Sequence, residues 1–123
     1  MKIALLGAGH IGQTIARLLI DSGDYSVTVI DQSANALAKL SSLGAKTLTI
    51  DSADAHLLEA ALDGHDAVIN ALPYHLAVRV ATAAKAAHCH YFDLTEDVAA
   101  TKAIMALAEG AQTAFMPQCG LAP

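Results

Sequence analysis

Two hydrophobic periods alternate along the chain. Residues 2–6 (KIALL) are apolar after the first position, as expected of a buried strand. From Ile11 the pattern changes: Ile11, Ile15, Leu18 and Leu19 fall on one face of a helix, and Gly23 stands where a left-handed cap would end it. Residues 25–30 return to a strand with β-branched alternate positions. Ser33 is placed to cap a helix carrying Leu37 and Leu40, which Gly44 closes. Residues 46–50 predict a third strand, and Asp54 then caps a helix with Leu57, Leu58, Ala61 and Leu62, closed by Gly64. Residues 66–70 predict a fourth strand, and Pro73 suits the first turn of a helix over 74–87. A fifth strand over 90–93, a helix capped by Thr95 and running to Glu109, and a sixth strand over 113–116 complete the pattern.

Six strands therefore alternate with five helices, and most strands read as apolar along their length. That is the pattern of an α/β domain whose parallel sheet is covered on both faces. The expected architecture is a doubly wound parallel six-stranded sheet, the Rossmann fold, in order 3-2-1-4-5-6. A flavodoxin-like order stays open, because periodicity does not fix which strands are neighbours.

The turn between the first strand and helix carries G-x-G-x-x-G at Gly7, Gly9 and Gly12. In that context the three glycines serve, in turn, a tight bend, close approach of backbone to a pyrophosphate, and close helix–strand packing. The helix amides then face the phosphates. Asp31 ends the second strand, where its carboxylate can accept hydrogen bonds from both ribose hydroxyls and repel a 2′-phosphate. Gln32, Ser33 and Ala34 follow, with no Arg or Lys, which favours NAD over NADP. Because ligands lie beyond the carboxyl ends of parallel strands, Ala8, His10 and Ile11 of the glycine loop join the candidate cofactor contacts. So do Gln32, then Asp51 and Ser52 near the adenine, Ala71, Leu72 and Pro73 near the second phosphate, and Thr95 toward the nicotinamide.

Composition narrows the partners. The chain has 123 residues, enough for one domain with one core, and 54% of them are hydrophobic. Its net charge is −5 and its seven Lys and Arg are scattered, which argues against nucleic acid. No apolar run reaches the roughly 18 residues of a membrane span, and no signal peptide is expected. Cys89 and Cys119 lie far apart and read as reduced thiols in a cytoplasm. His88-Cys89-His90 lacks a second ligand pair, so no metal is expected.

The segments LLGAGHIG, VTVIDQS, INALPYHLAVRVATAAKAA, HYFDLTED and the closing CGLAP, in this order, resemble the saccharopine dehydrogenase family. That family includes saccharopine reductases and lysine 6-dehydrogenases. The resemblance implies an NAD- or NADP-binding domain of an oxidoreductase acting on the C–N bond of an amino-acid-derived imine or amine. It also implies that Tyr74, in L-P-Y, and Asp93, in F-D-L-T, line the substrate and nicotinamide pocket, with Cys119 near its mouth. Either of the first two would supply a proton or a charge to the imine nitrogen. In the family the closing motif continues into a substrate and dimerisation domain. The expectation is therefore that residues 1–123 are one dinucleotide-binding domain, a fragment of a longer protein able to form a homo-oligomer, whose amino-acid substrate is held by the other domain. The rival reading is a regulatory NAD-sensing module like those of potassium-uptake systems, which share the glycine motif, the acid after strand two and a stretch similar to ADAHLLEAA.

Overall fold

A computed structural model describes residues 1–94 and 97–117. Strand β1 (Lys2–Leu6) leads through the glycine turn into helix α1 (His10–Ser22) and returns as β2 (Ser26–Asp31). Then follow α2 (Ala34–Ser41), β3 (Lys46–Thr49), α3 (Ala55–Leu62) and β4 (Ala67–Asn70). A single 3-10 turn (Tyr74–Leu76) precedes α4 (Ala77–Ala86), which is followed by β5 (His90–Asp93), α5 (Val98–Ala108) and β6 (Phe115–Met116).

The sheet order is β3-β2-β1-β4-β5-β6, with every pairing parallel. This excludes the flavodoxin-like order. β1 lies at the centre, with Ala4 beside Thr28 of β2 and Val68 of β4. The strand order reverses between β1 and β4, so a crevice opens there at the carboxyl edge.

Alternation along the strands sends side chains to two cores. Leu5, Val27 and Val29 pack with Ala16 of α1 and Leu37 and Leu40 of α2. Ala4, Leu6, Ile30, Val68 and Tyr91 pack on the other face with Leu58 and Leu62 of α3, Val80, Ala81 and Ala84 of α4, and Ile104 of α5. Burying one such Leu or Val is worth about 1.5–3 kcal/mol. The alanines of α4 lie against the sheet because their small side chains let the helix come close.

Several expectations need correction. β3 is exposed at all four positions, since KTLT sits at the sheet edge and carries three polar residues. Pro73 does not start the fourth helix: its ψ of 148° keeps it extended, and the chain makes the 3-10 turn before α4 begins. α5 is capped by Asp97, whose Oδ2 accepts from the Ala100 amide at 2.8 Å, and not by Thr95. A carboxylate one residue before the helix is in place for that bond, whereas residue 95 is three positions from Val98. The Ser33 and Asp54 caps form as expected, and Gly23 takes the left-handed conformation after α1. Thr95, Cys119 and the closing 120–123 motif lie outside the described residues.

Candidate dinucleotide site

The three motif glycines separate by cause. Gly7 has φ of +106°, and a Cβ there would lie 2.9 Å from the Ala71 carbonyl oxygen. Gly12 faces the turn so closely that a Cβ would run into the Gly7 carbonyl oxygen. The fold itself therefore demands both. Gly9 is different. Its φ of −73° suits any residue, and a Cβ would meet no protein atom within 4 Å. A glycine that the chain's own sterics do not require leaves room at the start of α1 for an incoming group. The arrangement fits a pyrophosphate, because α1 has no side-chain cap and no acid in its first turn, so its amide end faces the crevice unopposed.

Asp31 ends β2 beside the glycine turn. Its Oδ2 accepts from the Ala8 amide at 2.7 Å and its Oδ1 from the Ser33 amide at 2.8 Å. The carboxylate thus ties the glycine turn to the β2–α2 corner and is held still there. Gln13, which sequence reasoning did not single out, donates from Nε2 to the Ala8 carbonyl at 2.9 Å and fixes the same turn. Its helical position directly after the motif was the available signal. Gln32 is exposed beside Asp31, and His10 and Ile11 are exposed on the first turn of α1.

The parallel sheet brings the remaining described candidates to the same edge. Asp51 follows β3 and makes a tight turn, its Oδ1 accepting from the Ala53 amide at 2.9 Å, while Ser52 is buried. Ala71 and Leu72 are half-buried and Pro73 is exposed. The Ala71 amide donates to the Leu6 carbonyl at 2.8 Å, which clamps this loop against β1. Asp93 ends β5 but is only 2% exposed, with Oδ2 accepting from the Tyr91 hydroxyl at 2.6 Å. Tyr74, by contrast, is 60% exposed and stands edge-on to His75.

Other chemistry-bearing residues lie elsewhere. Grooves of about 320 and 420 Å³ run between α3 and α4, lined by residues such as His56, Glu59, Asp63 and Arg79, and include no residue of the glycine turn. Cys89 at the amino end of β5 is buried, and its thiol donates to the His65 carbonyl at 3.1 Å. Burial, with Asp66 and Asp63 adding to it, pushes this thiol up to about 11. His90 Nδ1 accepts from the Ala114 amide. Among the described residues no three His, Cys, Asp or Glu side chains are grouped to hold a metal ion, and no helix is long and apolar enough to cross a membrane.

The saccharopine dehydrogenase NADP binding domain family matches residues 3–116. The chain belongs to this family. As a saccharopine dehydrogenase-type domain it binds a nicotinamide dinucleotide. It is 34% identical over 74 residues to the L-glutamate-forming, NADP(+) saccharopine dehydrogenase of Saccharomyces cerevisiae, a match covering 59% of this chain and 17% of that protein. The structure of the apo yeast enzyme superposes with a TM-score of 0.88 at 26% identity, over 98% of this chain and 27% of that one. The triphenylmethane reductase of Citrobacter sp. complexed with NADP(H) shares the fold, with a TM-score of 0.73 at 14% identity over 94% of this chain and 48% of that one. The saccharopine dehydrogenase-type domain thus spans about a quarter or less of the length of its yeast relatives. The potassium-uptake reading finds no support in these relationships.

Proposed function

We propose that this domain holds NAD(H) in preference to NADP(H), for hydride transfer to or from an amino-acid-derived imine or amine. The observation that carries the cofactor preference is Asp31, anchored by two backbone amides at the end of β2. No Lys or Arg follows it before Lys39. A 2′-phosphate there would meet a fixed like charge, at a cost of about 1–4 kcal/mol for unit charges 4 Å apart in water or near a protein surface. The two ribose hydroxyls of NAD would instead donate to it. The yeast relative is named for NADP(+); the preference of this chain rests on its own acid.

Gly9 and the α1 amides take the pyrophosphate, Asp51 and Ser52 border the adenine, and Ala71, Leu72 and Pro73 border the nicotinamide ribose. Thr95 is assigned to the nicotinamide end with them. Bound NAD supplies the hydride acceptor. Tyr74 approaches that end from solvent and can hold a proton at its phenol oxygen, while Asp93 acts from within the sheet. The amino-acid substrate is held by parts of the protein outside these 123 residues, as the length of the yeast relatives supports. A cytoplasmic setting belongs to the same reading, supported by two cysteines that lie far apart in the sequence.

Titration with NADH and with NADPH tests this, read by nicotinamide fluorescence against a chain that has no Trp. The expected result is NADH binding at least about ten-fold tighter, the size of one hydrogen bond to a charged group. Equal affinity or an NADPH preference overturns the cofactor assignment, and binding of neither overturns the site.

A further inference from the structure

A chain of buried polar side chains lies beneath the loop that follows β4. Asn70 and Asp93 are the last residues of β4 and β5 and sit side by side in register. Each is 2% exposed, and Tyr91 between them is fully buried. The Leu72 amide donates to Asn70 Oδ1 at 3.0 Å, Asn70 Nδ2 donates to the Tyr91 hydroxyl oxygen at 3.1 Å, and that hydroxyl donates to Asp93 Oδ2 at 2.6 Å. The carbonyl of Ala77, the first residue of α4, is 3.3 Å from the same hydroxyl. The loop above is held on its other side by the bond from Ala71 to Leu6, and its Ala71 carbonyl abuts Gly7.

We propose that Asn70, Tyr91 and Asp93 form a positioning relay that sets the 71–73 loop against the nicotinamide half of the bound dinucleotide. This rests on the dinucleotide reading above. A fold that needed only packing here would use apolar side chains, because buried polar groups bring little net stability and are costly when one partner is lost. The relay instead joins the ends of two strands to one loop amide at the carboxyl edge. The loop flanks the crevice on the β4 side, whereas the adenosine half meets Gly9 and Asp31 on the β1–β2 side. Asp93 thus acts through Tyr91 and Asn70 and is a positioning residue.

The relay has a selective signature. Tyr91→Phe removes the hydroxyl and keeps the ring that stacks on Phe115. Asn70→Ala removes the contact to the Leu72 amide and serves should Tyr91→Phe not fold. Affinities for NADH and for AMP, which carries the adenosine half alone, are measured for the parent chain and both variants. NADH is read by nicotinamide fluorescence and AMP by calorimetry. Each variant is expected to weaken NADH by about three- to ten-fold, the loss of one buried hydrogen bond, with AMP affinity held within about two-fold by the same scale. Equal weakening of AMP and NADH makes the role merely structural and overturns the proposal, as does unchanged NADH binding. If the parent chain binds neither nucleotide, the dinucleotide reading itself fails and the relay's role falls with it. The parent's own titration therefore separates the two failures.

Discussion

Gly9 and Gly12 stand three residues apart and would fail for different reasons. Gly12→Ala drives a methyl into the Gly7 carbonyl, so the turn or the helix must move. We expect a stability loss of about 1–3 kcal/mol or more, read as a lower denaturation midpoint. Gly9→Ala meets no protein atom. It should cost no more than about 1 kcal/mol, the usual penalty of a poorer helix cap, yet weaken NADH in titration by at least an order of magnitude, because the methyl occupies the phosphate's space. Equal loss of stability in both variants would show that Gly9 serves the fold alone. Asp31→Ser removes the fixed charge, and the ratio of NADH to NADPH affinity should fall by roughly ten-fold or more. Cys89 gives a pH test. The folded chain keeps the thiol proton to about 11, whereas the ordinary value is 9.0. Between those values the unfolded chain binds fewer protons, so stability falls as pH rises from about 9 to 11, and below 9 this group contributes no slope. Urea midpoints across that window should decline, and Cys89→Ala should remove part of the decline. At this scale the glycines and Asp31 were legible because their spacing is local and their geometry is imposed by one strand–helix turn. The Asn70–Tyr91–Asp93 relay was not. Asn70 and Tyr91 are 21 residues apart in sequence, and in an alternating strand a tyrosine reads as core.

Elements were legible where their ends carry their own chemistry. Ser33 and Asp54 cap the helices that follow because each presents an acceptor at the residue preceding the first turn. The same rule, applied to the sequence before α5, picks Thr95. Asp97 holds the position because its carboxylate reaches the Ala100 amide. Asp97→Ala should lower stability by about 1 kcal/mol, measured by chemical denaturation. β3 departs from expectation for a different reason. Its alternation is weak, and only its place at the sheet edge explains why Lys46, Thr47, Leu48 and Thr49 all reach solvent. The turn before α4 depends on ψ at Pro73, which a sequence does not reveal when either an extended or a helical value is sterically allowed.

At the scale of the molecule, binding and turnover separate. The described groups proposed for the dinucleotide stand at one edge of one sheet, so we expect binding to be a property of this domain. A ligand that binds only the folded chain stabilises it by about 2.7 kcal/mol at a hundred times its dissociation constant, which for a chain of this size raises the melting temperature by roughly 10 °C. NADH should produce that shift, and NADPH at equal concentration a smaller one. Hydride transfer asks for more. The reacting carbon must be pressed to within about 3–3.5 Å of the nicotinamide ring with its orbitals aligned, and Tyr74, proposed for that end, is an exposed side chain on a short turn. An exposed phenol does not by itself hold an amino acid in orientation against water. We therefore expect the 123-residue chain to bind NAD⁺ and to give no rise in reduced-nicotinamide absorbance with saccharopine or with lysine. Steady turnover by the chain alone would place the substrate surface within this domain, and the loop between β4 and α4 would then be where to look for it.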